Sequence, residues 1–346
     1  MSPSPPQKPI DYFAWMQLVR LPNVFTAWAD VSMGYLITHA VLGPRAVFHL
    51  PLLILATTCF YSGGIAMNDL YDLERDREER PTRPLPSGRV SPHAAKRLIT
   101  ILFAVGLLSV ATLGFLGPAN NSSIPYDFRP LTTGLALLAC IWLYDAKLKG
   151  NSLVGSLSMG SCRGVNILLG ASLGVTASPE VVRLASSVAE TTSPAVPTSS
   201  LPGLEIGIAV GMTLFVAGIT LFARGESQAR RPSLLAAGTT IMAAGLLYLA
   251  FSPELIPREQ LPDRLLELES AWRMFWILAV LGLLYRSSKA IAAPSPEKVQ
   301  NVVRTAILSI IVLDAVIAFT LHGPAGLFIL LLLLPTLILA RRFYST

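Results

Sequence analysis

The chain has 346 residues, of which 52% are hydrophobic and 14% charged, with a formal net charge of +6. An ordinary soluble domain carries about 25% charged residues, and no soluble core of this length hides so much apolar surface. With a mean hydropathy of +0.57, disorder, coiled coil, collagen and a disulfide scaffold are excluded, leaving an all-α, polytopic membrane bundle in a single domain over 1–346.

Residues 1–17 are a Pro-rich, weakly charged tail, and no removable signal peptide precedes the first apolar run. A hydrocarbon core about 30 Å thick takes about 20 helical residues. On that scale, spans are expected near 24–43, 49–67, 98–117, 130–146, 153–176, 204–223, 233–252, 272–291, 303–321 and 324–340. Ten is the expected count and nine the alternative, because only His322 and Gly323 separate the last two runs before Pro324, as in a tight hairpin or one bent unit. Strands of a membrane barrel would instead alternate over about ten residues.

Basic residues set the expected orientation. Twenty of the 27 Lys and Arg fall on the side of the N-terminus and six on the other, with Arg163 inside a span. The positive-inside rule therefore makes the N-terminus cytoplasmic, and the net charge reflects membrane topology rather than nucleic acid. Residues 177–203, rich in Ser, Thr, Ala and Pro, read as a low-complexity external loop. Residues 253–271, with five acids, read as a short surface helix, and the two sequons of Asn120-Asn121-Ser122-Ser123 as plain loop. Cys59, Cys140 and Cys162 have no pairing or metal spacing and read as small buried hydrophobes.

The most informative stretch is Asn68-Asp69-Leu70-Tyr71-Asp72-Leu73-Glu74-Arg75-Asp76, at the end of the second span. Continued as helix, Asn68, Asp72 and Asp76 recur every four residues and form one acidic stripe, with Asp69 about 100° away. Like charges at this spacing repel unless a cation sits among them. An amide oxygen and two carboxylates suit Mg²⁺, which completes its shell with water and substrate phosphates. In Arg83-Pro84-Leu85-Pro86-Ser87-Gly88-Arg89, which follows, the prolines and Gly88 fix a turn and Arg83 can fork onto phosphate oxygens. The alternatives are a solvated helix end and a basic loop on anionic lipid.

The N-D-x-x-D-x-x-x-D run followed by R-P-L-x-x-G resembles the first signature of the UbiA superfamily of intramembrane prenyltransferases, and Arg20-Leu21-Pro22-Asn23 is similar to that family's N-terminus. The resemblance covers most of 15–290, its specific part being 64–90. It implies a helical bundle around a central cavity open to the membrane. It also implies Mg²⁺-dependent transfer of a prenyl group from an isoprenoid diphosphate to a lipophilic, aromatic or other acceptor.

Further site residues follow from the resemblance. Tyr144-Asp145-Ala146-Lys147-Leu148-Lys149 is similar to the family's Y-x-x-x-K signature with altered spacing; Lys149, with Lys147 as substitute, would set an ammonium beside the diphosphate, next to Tyr144. The alternative is an interfacial aromatic with positive-inside lysines. Arg163 and Asn166, three apart inside the fifth span, share a face and read either as a phosphate-side clamp or as a structural pair with a buried carboxylate such as Asp30. The family's second Asp-rich run is replaced by Phe222-Ala223-Arg224-Gly225-Glu226-Ser227. Glu226 would ligate alone, Arg224 would replace a metal's charge, or the chemistry would be lost. Asp30 is a candidate for the acceptor, whereas Asp314 and His322 read as structural.

The expected mechanism is electrophilic alkylation. Asn68, Asp72, Asp76 and Glu226 hold Mg²⁺; Arg83, Lys147, Asn166 and Arg224 bind diphosphate; Tyr144, Lys149 and Arg163 act on it as the allylic C–O bond breaks. One rival is a degenerate UbiA-like protein that binds or translocates a lipid-linked precursor. Another is an alcohol phosphotransferase, whose D-G-x-x-A-R start is missing from the sequence.

Overall fold

A membrane interior offers the backbone no hydrogen-bond partner but itself, so long apolar runs close into helices. The computed structural model describes residues 11–39, 42, 44–116, 126–174, 203–227, 232–258 and 261–343, and among them are thirteen α-helices and no strand. In chain order these are α1 (Tyr12–Leu18), α2 (Leu21–Ile37), α3 (Ala46–Tyr71), α4 (Leu73–Glu79), α5 (Pro92–Leu116), α6 (Arg129–Leu143) and α7 (Ser152–Ala171). There follow α8 (Leu204–Ser227), α9 (Pro232–Phe251), α10 (Asp263–Glu267), α11 (Glu269–Ala292), α12 (Pro296–His322) and α13 (Leu333–Phe343).

Among the described residues, eight helical segments are long and apolar enough to cross a membrane: α3, α5, α6 with the turn after it, α8, α9, α11, α12 and Pro324–Arg341. Beside them run the 17-residue α2 and the Gly- and Ser-rich α7, so ten segments follow the expected order. This is a polytopic helical membrane protein. Helix α5 begins six residues before the expected span, because Ser91 accepts the Ala94 N–H at 3.2 Å and Pro92 opens the first turn. The expected surface helix of 253–271 shortens to a 3₁₀ turn, Ser252–Leu255, and the five-residue α10. Segment 177–203, except Gly203, the sequons near Asn120 and residues 1–10 lie outside the described residues.

Two apolar cores make up the bundle. One gathers α1, α3, α5 and α6; the other gathers α8, α9, α11 and α12; and α2 and α7 contribute to both. That central pair is drawn together by glycine. A Cβ at Gly34 would strike the Ile167 carbonyl, and one at Gly170 the Val31 carbonyl. Lipid is as apolar as a leucine side chain, so such close backbone approach carries much of helix association in a membrane. After α12 the chain turns at Gly323 (φ 109°), whose left-handed backbone suits glycine, into the 3₁₀ segment Pro324–Leu332. That segment packs back onto α12, where Gly326 meets Ala318 and Phe319, so the last two runs form the hairpin.

Gly170→Val should separate α2 from α7, at a cost of about 1–3 kcal/mol for overpacking. The expected result is a thermal midpoint several degrees lower in detergent, while Gly150→Ala, where a Cβ meets nothing, leaves it unchanged.

Candidate functional site

Three segments meet at one end of the bundle: the end of α3 with α4 and the turn beyond it, the end of α6, and the start of α2. Helix α3 stops at Tyr71 and α4 starts at Leu73, with Asp72 (φ −92°, ψ 6°) as the corner. Backbone bonds nevertheless continue in i→i−4 order, Asp72 N to Asn68 O at 3.0 Å and Asp76 N to Asp72 O at 2.8 Å, so the acidic residues stay close. The bend departs from one straight stripe. It turns Asp76 inward, to 1% exposure, where it shares the Arg83 guanidinium with Asp69 (2.6 Å and 3.5 Å). Asp69 thereby joins the cluster rather than pointing away from it. Arg20, at φ 46° just before α2, gives Asp69 a second partner at 3.0 Å. The turn that returns Arg83 is closed by Val90 N to Pro84 O at 3.0 Å and by Gly88 at φ 73°.

At the end of α6, Tyr144–Leu148 winds as a π-turn, closed by the Lys149 N–H on the Tyr144 carbonyl at 3.0 Å. The wider turn absorbs the extra residue between Tyr144 and Lys149. Lys149 Nζ then reaches Asp72 Oδ1 at 2.8 Å and lies 5.5 Å from the Tyr71 ring centre. Lys147 goes elsewhere, over the Trp142 ring at 5.6 Å. Asp145, which the sequence reading left without a role, is buried and accepts from Asn68 Nδ2 at 2.7 Å. That bond leaves Asn68 Oδ1 turned away as an acceptor. Its sequence signal was a carboxylate at the very end of an apolar run.

Arg224, on the last turn of α8, donates to the Asn151 carbonyl at 3.2 Å and faces the Tyr144 hydroxyl. It packs across Gly155, where a Cβ would come within 2.8 Å of its Nη2. The Glu226 side chain lies outside the described residues.

Below this cluster a cavity of about 180 Å³ opens between α2, α3, α6 and α7. Arg20, Asn68, Tyr144 and Asp145 line one end; Phe60, Ile65, Leu137, Ile141 and Met159 make apolar walls. Thr57, Arg163 and Asn166 line it farther along. Arg163 is held by Asp30 and Thr26, both at 2.5 Å, and lies 5.5 Å from the Tyr61 ring centre. Asn166 accepts from Thr57 at 2.5 Å and donates to the Ala27 carbonyl at 3.0 Å. Both therefore stand apart from the carboxylate cluster, with Asp30 as the partner of Arg163. Asp314, fully buried in α12, stands beside Asp30 and Arg163 in this same group, whereas His322 ends that helix.

Among the described residues, no three His, Cys, Asp or Glu side chains converge as a ready metal site; the carboxylates are met by Arg20, Arg83 and Lys149 instead. One oxygen is left over. Asp76 Oδ1 is buried and has no hydrogen-bond partner.

The chain is similar to several known proteins. A digeranylgeranylglyceryl phosphate synthase of Sulfolobus acidocaldarius is 36% identical over 144 residues, 41% of this chain and 46% of that protein. One of Methanopyrus kandleri is 34% identical over 170 residues, 49% of this chain and 56% of that protein. The chain thus spans about half the length of the curated relatives it matches. Among solved structures, a UbiA homolog from Archaeoglobus fulgidus bound to GPP and Mg²⁺ superposes with a TM-score of 0.59 at 13% identity, covering 90% of this chain and 99% of that one. The apo UbiA homolog from Aeropyrum pernix gives 0.56 at 19% identity, covering 89% and 99%, so the two have the same fold. The UbiA prenyltransferase family profile matches residues 28–299, most of the chain, and the protein belongs to that family.

Proposed function

We propose that the protein transfers a prenyl group from an isoprenoid diphosphate to a lipophilic acceptor inside the membrane, with Mg²⁺ at the diphosphate. The observation that carries the reading is the gathering of Asp72, Asp76, Arg83 and Lys149 around Asn68, which lines one polar end of a cavity with apolar side walls. The donor set fits a hard cation: Asp76 Oδ1 lacks a partner, and Asn68 turns its carbonyl oxygen away from Asp145. Asn68, Asp72 and Asp76 would hold the ion, with Glu226 as a candidate for a second. When bound, Mg²⁺ supplies positive charge that stabilises the departing diphosphate. The matched synthases and the structure with GPP support the same reading.

The chain's own residues divide the remaining work. Arg83 and Lys149, paired with carboxylates here, exchange those partners for phosphate oxygens and neutralise charge as the allylic C–O bond breaks. Tyr144 and Arg224 sit beside them and steady the leaving group from the α6 and α8 side. Lys147, over Trp142, anchors the interface. Phe60, Ile65, Leu137 and Met159 keep water from the allylic cation, and the apolar opening admits an isoprenoid tail. The acceptor is lipophilic, aromatic or, in line with the names of the matched synthases, a glyceryl phosphate lipid, and the expected orientation sets the N-terminus and this end of the bundle in the cytoplasm.

Arg224 favours a second reading, binding or translocation of a lipid-linked precursor without transfer, because it occupies the place of the missing aspartates. Transfer with one firmly held Mg²⁺ predicts that Arg224→Ala lowers turnover more than about tenfold, roughly 1.4 kcal/mol of barrier, and that raised Mg²⁺ restores part of it. Wild-type protein that binds the diphosphate yet never releases inorganic diphosphate would establish the second reading.

Asp72→Ala should abolish Mg²⁺-dependent binding of isoprenoid diphosphate in detergent while its thermal midpoint stays near wild type. Unchanged affinity, with and without chelator, would reduce the acidic cluster to a solvated helix end. Orientation is tested with an impermeant thiol reagent on protein whose native cysteines are replaced. Ser87→Cys should label from the cytoplasmic side and Leu255→Cys, at the opposite end of α9, from outside.

A further inference from the structure

Asp145 lies outside the acidic run from Asn68 to Asp76, yet it stands at the same end of the cavity. The π-turn after α6 turns it inward, to 3% exposure, while Lys147, two residues on, lies over Trp142. Its Oδ1 accepts from Asn68 Nδ2 at 2.7 Å, and both residues line the cavity. Lys149, Asp72, Asp69, Tyr144 and Cys162 stand around it. Of these, only Lys149 carries the opposite charge. A further carboxylate beside Asp69 and Asp72 adds repulsion, and its burial adds desolvation. Such a placement needs a reason, and the bond to Asn68 supplies one.

The reason lies in the chemistry of an amide. The two ends of an asparagine side chain are nearly the same size, and its terminal torsion is soft, so packing alone does not choose between them. Only the oxygen can ligate a cation; the other end would turn N–H donors toward it. A carboxylate accepts hydrogen bonds and cannot donate them. Facing Asp145, Asn68 therefore has one orientation open to it, with Nδ2 on the carboxylate and Oδ1 on the far side. Metal ligands are commonly held in this way by a partner that is not itself a ligand, and loss of such a partner costs about 10–100-fold in metal affinity. The requirement is sharper in this chain, where Arg224 and Glu226 stand in place of the second Asp-rich run and leave fewer carboxylates to hold a cation.

Resting on the Mg²⁺-dependent reading above, we propose that Asp145 is the positioning residue for Asn68. It fixes the amide so that Oδ1, and never Nδ2, faces the cation, and it touches neither the ion nor the diphosphate.

The Mg²⁺ concentration that half-saturates binding of geranyl diphosphate is measured calorimetrically on the full chain in nanodiscs. Asp145→Asn lets the Asn68 amide sit either way. It should raise that concentration about tenfold or more, while at saturating Mg²⁺ the diphosphate affinity returns to the wild-type value. Combining Asn68→Asp with Asp145→Asn reverses the hydrogen bond: an amide at 145 donates to a carboxylate at 68, whose other oxygen stays free for the ion. This reciprocal pair should restore the wild-type Mg²⁺ requirement. A structure of the wild type with Mg²⁺ and the diphosphate should show Asn68 Oδ1 at ligand distance, about 2.1 Å, and both Asp145 oxygens beyond it. An unchanged Mg²⁺ requirement in Asp145→Asn, or affinity that stays low at saturating Mg²⁺, would overturn the assignment. So would a reciprocal pair no better than the single variant, or an Asp145 oxygen at ligand distance. Wild-type protein that binds the diphosphate without Mg²⁺, or not at all, would instead overturn the metal reading on which the assignment rests.

Discussion

Charge cannot stay unpartnered inside a membrane bundle, and the placement of the functional groups follows from that constraint. Asp69 and Asp76 take Arg20 and Arg83, Asp72 takes Lys149, and Asp30 takes Arg163. Apart from Asp76 and Arg83, seven residues from one another, each pair joins segments far apart in sequence, and together they hold the end of α3 against α2, α6 and the turn after α4. Removing one partner costs about 3–5 kcal/mol where the pair is buried, as at Asp30–Arg163, and much less at Asp72–Lys149, where both side chains are partly exposed. These residues are therefore structural and functional together. A ligand that brings its own charges can replace the internal partners one for one, which is how a site built from ion pairs takes up a metal–diphosphate.

The second constraint is close packing at the centre. Helices α2 and α7 belong to both cores, and glycines at their crossing bring backbone against backbone. The cavity lies against this pair on the side of α3 and α6. Arg163 and Asn166 project from α7 toward α3, so the rigid crossing fixes how far the inner polar end lies from the carboxylates. Separation of the two ends is thus a property of the helix pair and does not depend on loops.

Much of this was legible in the sequence. Run length and hydropathy gave the spans and the order of the helices, and left the junction at Gly323 as either a hairpin or one bent unit. The i,i+4 recurrence of Asn68, Asp72 and Asp76 with Arg83 close behind marked the polar end, and Arg163 with Asp30 stood out as charges at membrane depth. What stayed hidden depends on tertiary geometry. The bend at Asp72, which brings Asp69 beside Asp76, needs the partner Arg83 in place. The π-turn that selects Lys149 over Lys147 adds one residue to a helical turn, and no periodicity announces it. The role of Asp145 rests on an amide from another helix. The distance between Arg163 and the carboxylates follows from how α7 runs past α3, which residue spacing along one chain segment does not encode.

The central claim is that this ion-paired end handles an allylic diphosphate so that its prenyl group moves to another lipid. Its most direct test is lipid mass spectrometry of membranes with and without the protein, supplied with a deuterium-labelled isoprenoid diphosphate and Mg²⁺. The account predicts a labelled lipid heavier than its acceptor by one prenyl unit, with inorganic diphosphate released in equal amount. Recovery of the diphosphate bound but intact, with no labelled lipid, would contradict it.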